Sequence, residues 1–270
     1  MNFVCYNGKL IDATVPILLA ENRCFKYGDG VFETMKMSKG KLLLEAYHLE
    51  RLLTSLDLLK IHFKPAFGEE LSKDLKIICE ANNCAVSARI RIAAFRGPDN
   101  KVEYLIEARS LADENYLWNE KGWEIDIFPD ANKSCDAFSN LKSANYLVYV
   151  MADLFARDKK IDEAIVLNGK GFIADGSKTN IFIVKDNVIY TPALTEGPIN
   201  GVMRRHLIKE LKKENYPIIE TKISIDALLN ADEVFFTNAL RGIQWAAKFR
   251  DQVYGNTITS KIFESALPII

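Results

Sequence analysis

The sequence predicts an α+β fold in two domains. The chain has 270 residues, 49% of them apolar and 26% charged, a length that allows two domains of ordinary size. Its segments mix hairpins with helices, which argues against a doubly wound parallel sheet. A polar stretch without periodicity occupies 110–122, before the middle of the chain, and is typical of a linker. We therefore expect an N-terminal α/β domain at 1–112, a linker at 113–121 and a C-terminal α+β domain at 122–270.

Two hairpins open the predicted N-terminal domain. Asn7-Gly8 separates two short extended runs, and this dipeptide supplies the positive φ angles that a tight hairpin turn requires. Farther along, leucines recur at helical spacing and form one apolar stripe: Leu49, Leu52, Leu53, Leu56 and Leu59. The predicted elements of this domain are extended runs at 3–6, 9–12, 31–37 and 41–44, helices over 49–59 and 71–82, and paired strands at 87–95 and 101–109.

The predicted C-terminal domain interleaves short strands with helices. One predicted helix carries an apolar face made of Leu147, Val150, Met151 and Leu154. A meander of short strands follows it, with turns at 168–170 and 186–187. The other predicted elements are a strand at 123–128, a polar loop at 130–140, a helix after Pro198, a strand at 218–223, a short helix at 225–229 and a strand at 233–237.

Composition excludes several classes of function. Lys and Arg total 35 against 36 Asp and Glu, so the chain lacks the basic excess of a nucleic-acid-binding protein. The five cysteines are scattered without a C-x-x-C pair, and the three histidines are isolated, so we expect neither a disulfide framework nor a metal site. No apolar run approaches the roughly 20 residues of a membrane helix, and no signal pattern opens the chain. These features predict a cytoplasmic protein with no membrane partner.

Two glycine motifs imitate nucleotide-binding loops. Gly28-Asp29-Gly30 begins like a dinucleotide fingerprint, but Glu33 stands where the third glycine belongs and a strand follows. Residues 171–179 resemble a phosphate loop with a displaced lysine, yet a strand follows there too, whereas a phosphate loop needs a helix N-terminus. We expect both to be turns, which leaves a nicotinamide-dependent oxidoreductase as a remote alternative.

Four features together point to one cofactor. Lys142 lies between a polar loop and an apolar helix, where desolvation would lower the pKa of its amine and make it nucleophilic. Asp175 lies in an apolar strand, Arg51 interrupts a leucine-rich helix, and 197–204 is a glycine-bearing turn into a helix. Each also has a plain structural interpretation: a helix-start lysine, a turn aspartate, an arginine that reaches solvent, a helix cap. A reactive lysine, a carboxylate for a ring nitrogen, and an arginine with a helix N-terminus for a phosphate are what pyridoxal 5'-phosphate (PLP) needs.

Four segments resemble those of one enzyme family. They are Phe25–Thr34 (FKYGDGVFET), His48–Leu52 (HLERL), Lys142–Tyr146 (KSANY) and the stretch from Asp162 to Phe182. On these motifs the chain resembles the class IV aminotransferases, the fold-type IV PLP enzymes. That family includes branched-chain and D-amino acid aminotransferases and 4-amino-4-deoxychorismate lyase. The match extends nearly from end to end and implies a two-domain fold like that of D-amino acid aminotransferase.

The resemblance implies a role for each site residue. Lys142 would be the catalytic lysine that carries the cofactor aldehyde. The implied cofactor-binding residues are Arg51 on the phosphate, Tyr146 near the phenolic oxygen, Asp175 at the ring nitrogen, and the backbone amides of Val202, Met203, Asn238 and Ala239. The candidate substrate-binding residues are Tyr27, Glu33, Arg91 and Arg96. Arg91 is the first choice for a substrate carboxylate, with a surface strand arginine as the alternative.

Two departures from the family pattern bear on the function. Asp175 replaces the usual glutamate, so its carboxylate must approach about one methylene closer or act through a water. Ala239 stands where aminotransferases of the family tend to carry a hydroxyl residue, which favours the lyase branch. Glu33 and Asn145-Tyr146 resemble the aminotransferase branch instead. The best hypothesis is a 4-amino-4-deoxychorismate lyase, which releases pyruvate and gives 4-aminobenzoate.

Other functions stay open at this point. The main alternative is a branched-chain or D-amino acid aminotransferase, in which a proton returns to the cofactor and a 2-oxo acid leaves. A more remote one is an inactive homologue that only binds PLP, since a fold does not fix a function. The resemblance also implies a homodimer.

Overall fold

The computed structural model describes residues 2–267. The chain divides into two compact units. Among the described residues, the first contains 2–115 together with 142–145, and the second contains 116–141 and 146–267. The expected C-terminal domain included Lys142, whereas the short segment around this lysine groups with the first unit. The α+β class is confirmed, because hairpins and helices are interspersed along the chain.

The first unit is built on a six-stranded antiparallel sheet. Its strand order is β2-β1-β6-β5-β3-β4. The strands are β1 (Phe3–Tyr6), β2 (Lys9–Asp12), β3 (Gly30–Ser38), β4 (Lys41–Leu42), β5 (Ala88–Arg96) and β6 (Val102–Ser110), and the helices are α1 (Arg23–Tyr27), α2 (Glu45–Leu58) and α3 (Phe67–Ala81), with a 3-10 turn at Pro98–Asn100.

Alternation along β5 fixes which face of this sheet is buried. Ala88, Ile90, Ile92 and Ala94 are fully buried, as the period of two in the sequence predicts. Helix α2 packs on β3, and α3 packs on β6 and β1. The predicted leucine stripe of α2 faces the core, but the buried face of this helix also includes the polar residues His48 and Arg51. A guanidinium and an imidazole inside a core need hydrogen-bond partners, and β3 supplies a carboxylate to both.

The second unit contains a nine-stranded mixed sheet. Its order is β12-β11-β10-β13-β14-β7-β8-β9, with β15 paired to β14. The strands are β7 (Trp123–Ile127), β8 (Glu163–Leu167), β9 (Ile173–Gly176), β10 (Asn180–Lys185), β11 (Val188–Pro192), β12 (Ile218–Thr221), β13 (Glu233–Asn238), β14 (Gly242–Phe249) and β15 (Gln252–Val253), and the helices are α4 (Leu147–Lys159), α5 (Val202–Lys213), α6 (Ile225–Leu229) and α7 (Thr257–Ala266), with a 3-10 turn at Leu194–Glu196.

Helix α4 buries a different face from its most apolar one. Tyr149, Ala152 and Ala156 are buried, and the helix packs on β8. The predicted apolar face of Leu147, Val150, Met151 and Leu154 is instead 42–72% exposed. The two alanines give the reason: their small side chains let the helix lie close to the sheet, which leaves the larger apolar residues on the outer side.

Several elements have no counterpart in the sequence predictions. They are α1, β14, β15 and α7. Strand β14 is largely buried between β13 and β7, so it lacks the alternation of a half-exposed strand. Among residues 2–267, no helix combines the length and the apolar composition needed to cross a bilayer.

Candidate active site

The backbone of Lys142 is held against the start of β3. Ser143 pairs with Val31 as an antiparallel bridge. The Phe32 N–H donates to the Lys142 carbonyl at 2.9 Å, and the Ala144 N–H donates to the Gly30 carbonyl at 2.9 Å. These two hydrogen bonds make up the bridge, and they fix the direction in which the Lys142 side chain leaves the backbone.

Gly28 makes room for this segment. It has a positive φ of 64°, and a Cβ there would lie 2.5 Å from Asn145 Oδ1. A side chain at position 28 would therefore both strain the backbone and displace the lysine segment. Gly28, which belongs to the motif that imitates a dinucleotide fingerprint, instead lets its own backbone lie close to the 142–145 segment.

Two cationic side chains share one aromatic ring in the first unit. The Lys142 Nζ lies 4.5 Å from the centroid of Phe32, and the Arg91 guanidinium carbon lies 5.0 Å from it. Arg91 is also 3.7 Å from Glu107, with both side chains about one-third exposed. An exposed arginine beside a lysine amine is suited to hold a carboxylate next to that amine.

Glu33, His48 and Arg51 form a buried cluster. Glu33 Oε1 accepts from Arg51 Nε at 2.7 Å, and Glu33 Oε2 accepts from Arg51 Nη2 at 2.5 Å. His48 Nδ1 lies 2.6 Å from the same Oε2. Because β3 carries the carboxylate and α2 carries both partners, this cluster holds the helix to the sheet and fixes the guanidinium.

The pKa values in this cluster follow from burial and charge. Burial alone would raise the pKa of Glu33, but Arg51 and His48 outweigh it and lower the pKa to about 2. Burial lowers the pKa of His48, against the opposing effect of Glu33. A neutral His48 donates through Nδ1, and its buried Nε2 then has no hydrogen-bond partner among the described residues.

Asp175 is the centre of a second buried network, in the second unit. Its Oδ2 accepts from Tyr149 Oη at 2.7 Å, from the Ile199 N–H at 2.8 Å and from Lys133 Nζ at 3.3 Å. Its Oδ1 accepts from Asn180 Nδ2 at 2.8 Å. Burial raises the pKa of Asp175, and these four donors oppose that rise.

The turn after Asp175 is fixed by another carboxylate. Glu163 is buried and accepts from the N–H and hydroxyl of Ser177 and from the Thr179 hydroxyl. A Cβ at Gly176 would lie 2.2 Å from that threonine hydroxyl, so the turn needs a glycine there. Glu163 therefore anchors the strand end that presents Asp175.

The N-terminus of α5 lies beside a buried hydroxyl. Within residues 2–267, no side chain caps α5, so the first amides of the helix, including Val202 and Met203, point out of it. A Cβ at Gly201 would lie 1.8 Å from Asn180 Oδ1, which brings this helix start against β10. Asn180 is paired in register with Thr237, whose buried hydroxyl has no partner in the described part of the chain. Outward amides with an unsatisfied hydroxyl form a corner suited to an anion.

Comparison with known proteins then decides the family. A sequence model of the class IV amino-transferases matches residues 30–249. The chain belongs to this family. The chain is 29% identical to the aminodeoxychorismate lyase of Bacillus subtilis, over 93% of this chain and 87% of the relative. It is also 29% identical to the D-alanine aminotransferase of Staphylococcus epidermidis, over 88% and 86% of the two chains.

A solved structure of the family has the same fold. The branched-chain aminotransferase from the archaeon Thermoproteus uzoniensis, determined with norvaline, superposes with a TM-score of 0.86 at 27% identity. The alignment covers 98% of this chain and 93% of the other. The resemblance to fold-type IV enzymes is therefore confirmed, and with it the prediction of an enzyme.

The cofactor of class IV aminotransferases is PLP. The residues of this chain fit it: a lysine whose backbone is fixed on β3, a buried arginine, a buried carboxylate, and a helix N-terminus beside the unsatisfied Thr237 hydroxyl. Among the described residues, no cluster of three metal-ligating side chains is present.

Other predicted site residues have plain structural contacts in this member of the family. Asn238 Oδ1 accepts from the amides of Leu240 and Arg241, so its side chain shapes the turn after β13. The Ala239 carbonyl accepts from the Tyr116 hydroxyl at 3.0 Å. The Tyr146 ring stacks on Tyr149 at 4.6 Å.

Two of the four candidate substrate residues, Arg96 and Tyr27, make contacts with other residues of the first unit. Arg96 donates to Asp29 and to the carbonyls of Leu59 and Lys60, which leaves it committed to the fold. Tyr27 is 62% exposed and carries Arg23 over its ring.

Several side chains described above were not among the predicted site residues. They are His48 in the Glu33 cluster, Lys133, Tyr149 and Asn180 around Asp175, and Thr237 beside the α5 N-terminus. Tyr149 follows Tyr146 by one helical turn, and this spacing could have indicated it. Lys133 lies in the polar loop, where nothing in the sequence separates it from a solvated lysine.

We expect the Glu33 cluster to contribute stability that depends on pH. At pH 7, Glu33→Gln should lower the free energy of unfolding by about 3 kcal/mol, because it removes one partner of a buried ion pair. Since the folded pKa of about 2 lies below the ordinary value of 4.5, this contribution is present above the ordinary value and is lost as pH falls toward the folded one. Urea unfolding followed by circular dichroism at several pH values measures the difference.

The matched control is Glu69→Gln, at an exposed position of α3. It should track the wild-type protein at every pH. If Glu33→Gln also tracks the wild type at neutral pH, the cluster does not hold α2 as described.

Proposed function

We propose that this class IV enzyme is a 4-amino-4-deoxychorismate lyase, which releases pyruvate and leaves 4-aminobenzoate. The observation that carries the proposal is Ala239. It places a methyl group where aminotransferases of the family tend to have a hydroxyl, and its carbonyl is held by Tyr116. The 29% sequence identity to the Bacillus subtilis lyase, over 93% of this chain, also supports the lyase branch.

Lys142 is the proposed catalytic residue. Bound PLP supplies an aldehyde for the substrate amine and a ring that withdraws electrons from the adjacent carbon. The Lys142 amine, held by the backbone contacts to β3, takes the proton from that carbon. As the carbon–oxygen bond to the pyruvate-derived group breaks, the same amine would return that proton to the leaving oxygen, and the released enol would become pyruvate. The two products contain all the atoms of the substrate, so the lyase needs no second reactant.

Within the first unit, the other roles concern the phosphate and the substrate. Arg51 is the proposed phosphate ligand, held in one orientation by Glu33. Both oxygens of Glu33 are occupied by Arg51 and His48, so we assign it to positioning the arginine and no longer to the substrate. Arg91 would bind a substrate carboxylate, because its guanidinium shares the Phe32 ring with the Lys142 amine.

Within the second unit, Asp175 would hold a proton on the ring nitrogen, and Tyr149 and Asn180 orient it. Tyr146 is the proposed partner of the phenolic oxygen. The backbone amides of Val202 and Met203, with those of Asn238 and Ala239, would donate to the phosphate. Thr237 adds a hydroxyl two residues before Ala239, at the strand end beside the α5 N-terminus.

A branched-chain or D-amino acid aminotransferase is the second candidate. The full-length similarity to the Staphylococcus epidermidis and Thermoproteus uzoniensis enzymes favours it. Glu33 and the Asn145-Tyr146 pair also resemble that branch. The same lysine chemistry would serve both reactions, and the difference lies in whether a 2-oxo acid must accept the amino group.

We further propose a cytoplasmic homodimer. The exposed stripe of Leu147, Val150, Met151 and Leu154 on α4 is too regular and too apolar for a solvated helix face, and a second copy of this chain would cover it. Within the described residues all five cysteines are thiols, which suits a reducing compartment.

The choice between branches depends on which reactants are required. Purified protein should release pyruvate from 4-amino-4-deoxychorismate with no 2-oxo acid present, as followed by a coupled assay for pyruvate and by chromatography of 4-aminobenzoate. A panel of L- and D-amino acids with 2-oxoglutarate is the comparison. Turnover of that panel, with neither pyruvate nor 4-aminobenzoate formed from 4-amino-4-deoxychorismate, would select the aminotransferase, and turnover of neither would indicate a homologue that only binds PLP.

The homodimer predicts a mass in solution of twice that of the chain, measured by light scattering. Met151→Glu should reduce it to the monomer mass, because it places a charge in the proposed contact. Val253→Glu, at a position that is 70% exposed on β15, is the control and should stay dimeric. A monomeric wild type, or an unchanged mass for Met151→Glu, would reject α4 as the contact.

A further inference from the structure

Lys133 forms a buried ion pair with Asp175, and we propose that it competes with the cofactor's ring nitrogen for that carboxylate. Lys133 is then the counter-cation of Asp175 and a residue that limits cofactor affinity. This inference rests on the proposed role of Asp175 at the ring nitrogen.

The geometry of Lys133 is that of an internal lysine. Its side chain is 9% exposed, the Asp175 side chain is 2% exposed, and their charged atoms are 3.3 Å apart. The Lys133 Nζ also lies 5.1 Å from the centroid of Tyr149. Its backbone is tied to the end of β8, because its N–H donates to the Leu167 carbonyl and its own carbonyl accepts from Gly169. The side chain is therefore directed into the protein by a fixed backbone.

Lys133 differs from the other partners of Asp175 in charge and in distance. Of the four groups that hydrogen-bond this carboxylate in the described chain, Lys133 alone carries a charge. Tyr149, Asn180 and the Ile199 amide lie at 2.7–2.8 Å and are neutral. The lysine contact is the longest at 3.3 Å, so the ammonium has the loosest hydrogen-bond geometry of the four donors.

Charge balance explains why Lys133 and the ring nitrogen would compete for Asp175. The Lys133–Asp175 pair is neutral, so a protonated ring nitrogen at Asp175 would leave two cations around one buried anion. Either the ammonium must move away or it must give up its proton. In both cases displacing or deprotonating Lys133 costs free energy and lowers the affinity of Asp175 for the ring. A chain without this lysine should therefore bind the ring more tightly.

The pKa shifts of Lys133 and Asp175 are consistent with this pair, because burial disfavours the charged form of each group and the contact with the other group favours it. Burial lowers the pKa of Lys133, and Asp175 opposes this. Burial raises the pKa of Asp175, and Lys133 opposes that in turn. The other titratable groups that face the pair are Tyr149 on α4, its neighbour Tyr146, and Cys135 and Asp136 in the loop that carries Lys133.

The first test uses the cofactor-free full chain and needs no activity. In Lys133→Met the pKa of Asp175 should rise further, so the folded variant retains a proton that the unfolded chain releases above about pH 4. The free energy of unfolding of Lys133→Met should therefore fall relative to the wild type as pH rises from roughly 5 to 8, because the unfolded chain has released this proton there and the folded variant has not. Urea unfolding at several pH values measures this.

The double variant Lys133→Met with Asp175→Asn separates this effect from a packing defect. A neutral amide needs no counter-cation, so the pH-dependent loss should disappear in the double variant. Lys170→Met, an exposed lysine on the turn after β8, is the control and should match the wild type. If Lys133→Met is no more pH-sensitive than this control, the two groups do not neutralise each other and the proposal is wrong.

The second test measures binding of pyridoxamine 5'-phosphate, which has the ring nitrogen and phosphate but no aldehyde to react with a lysine. Calorimetry on the cofactor-free chain should give a dissociation constant about tenfold lower for Lys133→Met than for the wild type, equivalent to one pK unit of differential interaction. Lys133→Arg, which keeps the charge, and Lys170→Met should bind with wild-type affinity.

The two possible failures are distinct. If the wild type binds this probe and Lys133→Met binds it equally or more weakly, the competition is overturned while the proposed function stands. If neither the wild type nor any variant binds the probe, the assignment of the cofactor site fails and this inference fails with it.

Discussion

Two buried carboxylates impose the strictest requirements on this structure. A carboxylate removed from water must find charged or hydrogen-bonding partners or take up a proton. Glu33 on β3 is satisfied by two residues of α2, and Asp175 on β9 is satisfied by groups from α4, β10 and two loops. Since the partners come from different elements, each carboxylate also fixes how its helix lies on its sheet.

Burial has opposite outcomes at these two carboxylates. At Glu33 the guanidinium and imidazole outweigh burial, and the pKa falls to about 2, so the charge is permanent and Arg51 stays in one place. At Asp175 burial is the larger effect and the pKa is raised. A permanently charged cluster suits a phosphate anchor, which has to be rigid. A carboxylate with a raised pKa suits a partner that shares a proton, as the nitrogen of a pyridine ring does.

Much of the fold could be predicted, because its signals are local. The Asn7-Gly8 turn, the alternation along β5 and the leucine stripe of α2 are properties of short segments, and the structure contains a hairpin, a strand and a helix there. The outward apolar face of α4 could not be predicted. Periodicity identifies the most apolar face, but the small residues Ala152 and Ala156 decide which face lies against the sheet.

The site shows the same division between local and distant information. Lys142, Arg51 and Asp175 lie in recognisable motifs, so a resemblance indicates them. Lys133 is 42 residues from the carboxylate that it contacts. His48 looked like an isolated imidazole until β3 placed Glu33 beside it. Partners brought together by the fold from distant parts of the chain leave no spacing in the sequence.

The central claim is that Lys142 is the amine that carries the cofactor, and its most direct test is chemical. Protein loaded with PLP would be reduced with borohydride and digested, and mass spectrometry would locate the modified lysine. We predict one phosphopyridoxyl group on the peptide that contains Lys142, retained in the exposed-site control Lys73→Ala and absent from Lys142→Ala. A label on any other lysine, above all the buried Lys133, or the same label in Lys142→Ala, would contradict the account.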